Sequence, residues 1–421
     1  MRKEVAFLRA AGGDAGERSS SVPRMRVSAM PVLKLGNLKK GCGSPPFPIG
    51  GEGVSYWYNA RAAIWQGLAA LGIKPGDRII APAYSCGSEI DVLFKAGVQL
   101  DFYRIDKDLN ADLQHIESLC EKPAVALFIT HYYGLAQPVT ALRDLAKRHN
   151  LYLIEDVSHG LYSCTRDGQP LGSSADMAVY SLWKTLPIPD GGVLSLAHAH
   201  SQLLPTPVSP RLMSIAGRGR VMVEDVLSES WPRFSVFLRR RISDPLIHWL
   251  RRRAMPHREM LATPAVDDAA SCEQLPESAD VAFQADRKQW GMSGLSRMLM
   301  RYTHVENMVG LRRARFHRLA NGIGEIPGVS VLINRSLPEG CCPLFFPLVV
   351  EEPKAFARHL AAHGVGFFRG WCVFHPSVPW ALFPLESHLK ENVIVLPIHQ
   401  TLSDESIEFM IDVVHRWDAG V

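Results

Sequence analysis

Two side chains in this sequence could do chemistry together. The run Leu151-Tyr-Leu-Ile-Glu-Asp156 is an apolar strand pattern that delivers a carboxylate to its carboxyl end, where Val157-Ser158-His159 follow. A second strand pattern, Met177 to Leu182, leads into Trp183-Lys184, so the lysine stands 28 residues after Asp156 and just before the turn Pro189-Asp190-Gly191-Gly192. Strands of one sheet would bring both groups to the same edge. An amine and a carboxylate so placed are what pyridoxal phosphate chemistry requires. The amine holds the cofactor's aldehyde as an imine, and the carboxylate keeps the ring nitrogen protonated so that the ring accepts electrons. Taken singly, Lys184 reads better as a surface lysine and Asp156 as a helix cap; only together, with the segments around them, do they point to this chemistry.

The elements that must position this pair are legible around it. From about Tyr56 to Leu196, short apolar runs alternate with helical patterns, the signature of βαβ units and a parallel sheet covered on both faces. A helix from Ala62 to Leu71 stops at Gly72, and Pro75-Gly76-Asp77 turns the chain into a strand from Arg78 to Ala81, which Pro82 breaks. A helix-like segment from Glu89 to Lys95 stops at Gly97 before a strand from Gln99 to Ile105. Strand Val125 to Thr130, helix Val139 to His149, and the strands that carry Asp156 and Lys184 complete the series. A sheet of this kind presents its ligand site at the carboxyl ends of its strands.

Beyond that series the pattern breaks. Between Arg211 and Arg258 there are eleven arginines against four acidic residues, with Trp231, Phe234, Phe237 and Trp249 interleaved. This is an inserted basic amphipathic hairpin, either a solvated or oligomer-facing helical excursion or, less expectedly, a weak peripheral contact with an anionic membrane through 211–258. Pro264 to Ala282 is acidic and loop-like, and a long helical pattern from Leu295 to about Leu319 should connect two domains. Strands near Val329 to Ile333 and Leu344 to Val350, a helix from Pro353 to His363, and a closing helix from Asp404 to Trp417 capped by Ser403 fit a smaller α+β domain. The expected organisation is an N-terminal extension over 1–45, a large cofactor-binding domain over 46–200, the basic insertion and loop over 201–290, and a connecting helix with the small domain over 291–421.

Composition sets the limits. At 421 residues, with 47% hydrophobic and 21% charged, the chain has the balance of a globular protein of about two domains. A formal charge of +4 is too small an excess over this length to argue for nucleic acid. Eight cysteines with no CxxC pair and no repeated spacing to histidine read as reduced, cytoplasmic usage without a metal site. No apolar run reaches the length of a membrane-spanning helix. The Arg-, Ser- and Gly-rich first thirty residues have only Val5 to Leu8 as an apolar stretch, too short for a signal peptide, and Met25 or Met30 remains open as the true start.

Five ordered segments around the pair resemble the DegT/DnrJ/EryC1/StrS sugar aminotransferases, pyridoxal-phosphate enzymes of the aspartate-aminotransferase superfamily. They are Ala70 to Asp77 with Pro82-Ala-Tyr, Thr130-His-Tyr-Tyr-Gly134, Ile154-Glu-Asp156 with His159, Ser181-Leu-Trp-Lys184 with Gly191-Gly192, and Leu396-Pro-Ile-His399 with Leu402-Ser-Asp. The resemblance implies an α/β protein of fold type I: a large domain with a mostly parallel sheet of seven strands between helices, plus a smaller C-terminal α+β domain. It implies that Lys184 forms the imine, that Asp156 holds the ring nitrogen, and that His159 stands near the ring hydroxyl. Asn59-Ala60-Arg61 opens a helix where the family carries Ser-Gly-Thr around the cofactor phosphate, and Ser181 resembles the phosphate-binding serine, though three rather than five residues before the lysine. Cys86 stands where an aromatic ring usually stacks on the cofactor, with Tyr84 as a candidate substitute.

Gln289-Trp-Gly-Met-Ser293 lacks the Asn and Arg with which the family reaches a partner's phosphate, leaving Ser293 to supply part of that contact. Arg369, Trp371 and His375 fall where the small domain faces the active site and are substrate candidates, with an aromatic core strand as the competing explanation. The implied activity is transfer of an amino group from an amino-acid donor, glutamate expected, to a keto sugar carried on a nucleotide, by a homodimer. Another reaction of the same cofactor on a sugar, such as dehydration, and a degenerate binding or regulatory homologue are the alternatives.

Overall fold

The computed structural model of the chain describes residues 25–34, 46–51, 53–197, 204–210, 283–302, 307–333 and 336–417. The basic insertion at 211–258, the acidic loop after it and most of the N-terminal extension lie outside the described residues.

The first unit runs β1 (Val54–Trp57), α1 (Ala60–Ala70), β2 (Arg78–Pro82), α2 (Ser88–Lys95), β3 (Gln99–Tyr103), α3 (Leu113–Leu119), β4 (Ala126–Thr130), α4 (Val139–Arg148), β5 (Tyr152–Asp156), β6 (Met177–Ser181), α5 (Leu182–Thr185) and β7 (Gly192–Leu196). These strands form one seven-stranded sheet in the order β1-β7-β6-β5-β4-β2-β3. The five from β3 to β6 are parallel, and β7 and β1 join antiparallel at one side. Every residue of β4, β6 and β7 is buried, as expected where helices cover both faces of a sheet and the strands read as unbroken apolar runs. Pro82 is the last residue of β2 rather than the residue beyond it. Its missing N–H falls where the ladder ends.

The sheet is fastened at the site end by its turns. Asn59 caps α1, its side chain accepting from the Ala62 amide at 2.9 Å. Gly191 donates to the Tyr58 carbonyl and Leu182 to the Gly191 carbonyl, both at 2.9 Å, so the loop after β6 is held against the start of α1. Gly192 lies so close to that helix start that a Cβ there would meet the Asn59 carbonyl carbon at 2.1 Å, which is why only glycine fits.

The second unit is an antiparallel sheet, β10-β11-β9-β8, built from β8 (Val329–Val331), β9 (Phe345–Val350), β10 (Phe368–Arg369) and β11 (Val393–Pro397). Helices α6 (Gly294–Met300), α7 (Met308–Ile323), α8 (Pro353–Ala362), α9 (Pro384–Asn392) and α10 (Asp404–His415) accompany it. The single long helix expected from Leu295 to Leu319 is instead two: α6 closes in a turn in which the Tyr302 amide donates to the Leu299 carbonyl, and α7 begins at Met308. Ser403 caps α10 as expected, accepting from the Ser406 amide at 3.2 Å. One apolar core joins the two units: Leu127, Ile129, Tyr84 and Tyr133 of the large sheet pack with Phe316, Phe346, Leu396 and Trp371 of the small unit.

Arg312 of α7 ties the units together with hydrogen bonds. Fully buried, it donates to Gln400, to the Pro343 and Leu344 carbonyls and, across the junction, to the carbonyl of Thr185. Burial pushes its guanidinium down to about 10, still cationic at neutral pH. Thr185 is the residue after Lys184, so the lysine's backbone is pinned from the other unit.

Candidate active site

At the carboxyl edge of the parallel strands, Thr130 of β4 stands opposite Asp156 of β5, and Asp156 opposite Val179 of β6. Strand β6 then delivers the short turn of helix α5 that carries Lys184. The Asp156 carboxylate is buried and accepts from the Ser158 amide at 2.8 Å. Burial and then the nearby Glu89 carboxylate push the Asp156 carboxyl up, and Lys184 and the Ser158 bonds pull it down, with a net upward shift. Burial, reinforced by the charge of Lys184, pushes the His159 imidazole well down, so it is neutral at physiological pH. The Cys86 thiol is pushed up to about 12, by burial and by Glu89, against the opposing pull of Lys184. The Lys184 amine thus acts on Asp156, His159 and Cys86 together.

The helix that should meet the cofactor phosphate begins beside them. Asn59 and Arg61 line a small cleft at the start of α1 with Ala62, Phe283, Gln284 and Arg287, and Ala60 is the helix's first residue. Ser181 is buried at the end of β6, paired in register with Gly192, and caps nothing with its side chain. Helix N–H groups and arginine donors at this point suit a phosphate dianion. Ser293 caps α6, its hydroxyl accepting from the Ser296 amide, and its own amide donates to Asp190.

The three small-domain candidates separate. Trp371 reaches the site: its ring lies 4.9 Å from that of His159 and 4.9 Å from Tyr84, and stacks on Tyr133 at 6.0 Å. Both Trp371 (φ 56°) and Tyr133 (φ 54°) hold the left-handed conformation that large side chains avoid, a strain found at constrained functional positions. Arg369 points into its own unit and donates to the Glu391 carbonyl. His375 sits over α2, 3.8 Å from Asp91 and hydrogen-bonded to Ser377. Tyr84 is fully buried, its hydroxyl 3.0 Å from that of Tyr133, and both Trp371 and Tyr133 stand between it and His159. Cys86 is at the site, 2.6 Å from Glu89 and 2.8 Å from Ser88.

Two features were not visible in the motifs. Glu89 reads in sequence as an ordinary acidic residue in a helix's first turn, and nothing local marks it as buried. The Arg312 and Gln400 bonds to Thr185 join residues more than a hundred apart in the chain. The Glu155–His131 pair beside Asp156 has a structural role: His131 Nδ1 accepts from the Gln137 amide, so Nε2 carries the proton and donates to Glu155 at 2.9 Å, while Gly172 donates to the same carboxylate.

The architecture and site define a class. A mostly parallel seven-stranded α/β sheet with a small C-terminal α+β unit, and a strand-end lysine facing a buried carboxylate, is the fold of the type I pyridoxal-phosphate aminotransferases. Among solved structures, the chain is similar to DesV of S. venezuelae in complex with a ketimine intermediate (TM-score 0.58, 19% identity, 87% of this chain and 85% of that one). It is also similar to the sugar aminotransferase CalS13 of Micromonospora echinospora (TM-score 0.56, 16% identity, 87% and 88%). Residues 54–199, which hold the whole seven-stranded sheet, match the DegT/DnrJ/EryC1/StrS aminotransferase family. Among curated proteins, the chain is similar to GDP-perosamine synthase of Vibrio cholerae (28% identity over 139 residues, 32% of this chain and 38% of that protein) and to UDP-4-amino-4-deoxy-L-arabinose–oxoglutarate aminotransferase of Shewanella sediminis (30% over 144 residues, 34% and 37%). The match thus spans a little over a third of the length of these relatives.

The residues present fit the cofactor that this fold class carries. Thr130 Oγ1, Ser85 Oγ and His159 Nδ1 are buried at or beside the strand ends with no hydrogen-bond partner among the described residues. Buried polar atoms left unpaired are costly, and a polar ring between them would satisfy them.

Proposed function

We propose that this chain is a pyridoxal-phosphate-dependent aminotransferase that moves an amino group from an amino acid to a keto sugar. The observation that carries it is the convergence of Lys184, Asp156 and His159 at the carboxyl edge of the parallel strands. When bound, the cofactor would supply an aldehyde to capture amines and a ring that withdraws electrons from the captured carbon. Lys184 Nζ would hold the cofactor and, once displaced by the donor amine, act as the base that takes the proton from the donor's α carbon. Asp156 would hold the ring nitrogen's proton, and neutral His159, through Nδ1, would hydrogen-bond the ring hydroxyl. Asn59, Ala60, Arg61 and Ser181 would bind the phosphate; the buried ring of Trp371 would exclude water from the His159 side.

Glutamate is the donor we infer, and the acceptor a nucleotide-linked keto sugar used in polysaccharide or natural-product assembly, by a cytoplasmic homodimer. Support for the acceptor comes from the sugar-related names of the curated relatives. The first test is spectroscopic. Pyridoxal phosphate added to the purified protein should produce a visible absorbance band that Lys184→Ala abolishes, and glutamate should bleach it in the unmodified protein. A protein that forms no band, or a Lys184→Ala variant that keeps it, rejects the cofactor assignment. A band untouched by glutamate rejects the donor.

A further inference from the structure

Glu89 is a buried carboxylate that the chemistry above does not use. It is 3% exposed. Its oxygens accept from the Cys86 amide at 2.9 Å and from the Cys86 thiol at 2.6 Å, with the Ser88 hydroxyl at 3.4 Å. It has no Lys, Arg or His ion-pair partner among the described residues. The groups that face it are Cys86 and Ser88 from its own loop, Asp156 from the end of β5 and Tyr132 from the segment after β4; Lys184 acts on both Cys86 and Asp156.

Closing the first turn of α2 does not account for this placement. A capping carboxylate reaching back to a preceding amide is ordinarily solvated, and a neutral amide oxygen would accept the same bond. Two carboxylates, Asp156 and Glu89, buried at one edge against the amine of Lys184 are an arrangement that costs stability, because like charges in a dry site repel and each is desolvated. Such a cost persists where a ligand supplies the missing positive charge. We propose that Glu89 is a second carboxylate of the cofactor site, which together with Asp156 holds the positive charge of the bound cofactor. Cys86, kept protonated by its burial, donates to Glu89 and orients it where the family has an aromatic ring. Glu89 is therefore a positioning and charge-tuning residue, and this inference rests on the cofactor reading above.

The test is a pH titration of the visible band that the cofactor takes on when joined to Lys184. Removing a negative charge beside a cationic chromophore makes its proton easier to lose, so Glu89→Gln should move the band's midpoint down by about one pH unit, a tenfold change in proton affinity. Cofactor affinity in an equilibrium titration should weaken by about tenfold. Glu89→Asp, which keeps the charge, should stay close to the unmodified protein. Glu89→Ser, a neutral residue suited to a helix's first turn, repeats the measurement if the glutamine variant does not fold. An unmoved midpoint in the neutral variants, or an equal shift in Glu89→Asp, overturns the role of the charge. The absence of any band in the unmodified protein overturns the cofactor reading and this inference with it.

Discussion

At Asp156 burial sets a cost in stability against the role proposed for its carboxylate. Its folded carboxyl is shifted above its unfolded value by burial and by Glu89, so between those two values the folded chain holds a proton that the unfolded chain has released. The folded state binds more protons in that window, and stability falls as pH rises through it, from about 4 upward. Without cofactor, Asp156→Asn should therefore melt higher than the unmodified protein at neutral pH, while its cofactor affinity falls by roughly 10- to 100-fold, the worth of a charge-assisted hydrogen bond. Thermal denaturation of the cofactor-free protein and an equilibrium cofactor titration measure the two halves. A variant that is both less stable and normally loaded would contradict the placement of Asp156. His159, held neutral by the same burial, keeps its Nδ1 for a ligand, because no neighbour among the described residues uses it.

At the scale of elements, the phosphate end of the site depends on how closely three pieces approach: the start of α1, the end of β6 and the first residue of β7. Gly192 is the point of closest approach, with the Asn59 carbonyl oxygen 2.2 Å and the Ala60 amide 2.6 Å from where a Cβ would stand. These are backbone atoms and cannot rotate away. Gly192→Ala should push α1 off β7, cost about 1–3 kcal/mol as overpacking does, and weaken binding of pyridoxal phosphate more than binding of pyridoxal, which lacks the phosphate. Comparing the two affinities by absorbance separates local displacement of the cup from general loss of folding. The cap at Asn59 and the Leu182–Gly191–Tyr58 bonds belong to the same junction. The parallel strands and the helices α1, α2 and α4 could be read to within two residues from apolar periodicity and Gly/Pro punctuation, whereas the short helices α3 and α5 could not. The antiparallel strands β1 and β7 could not, since their partners are set by pairing across the sheet.

In the whole molecule, the two units are tied by buried cations: Lys390 of α9 donates to the Ser85 carbonyl, and Arg312 reaches the loop that carries Lys184. Arg312 joins α7 to Gln400, to two carbonyls before β9 and to the Thr185 carbonyl beside Lys184, so it couples the placement of Lys184 to the docking of the small unit. Arg312→Ala would leave these acceptors buried and unpaired, and should cost at least about 3 kcal/mol. Arg312→Lys should recover little of that, because an ammonium cannot span the fork the guanidinium reaches. Denaturant unfolding monitors the loss, and a loosened Lys184 should appear as slower formation of the visible cofactor band. Among the described residues, no helix is long and apolar enough to cross a membrane.

Sequence by itself determined the parallel strand series, the delivery of Asp156 and Lys184 to one edge, and the cap of the last helix. Each follows from local periodicity and from residue types that constrain the backbone within a few positions. Tertiary structure decided what surrounds that edge. It brought Trp371 onto His159 while sending Arg369 into its own unit and His375 over α2, a division that the short run Phe367 to His375 does not encode. It assigned Ser293 to a helix cap, split the long helix after Met300, and buried Glu89 against Cys86 beside Asp156. The physical reason is the same in each case: burial and electrostatic neighbourhood are set by contacts between segments far apart in the chain, and these contacts bury an ordinary first-turn glutamate.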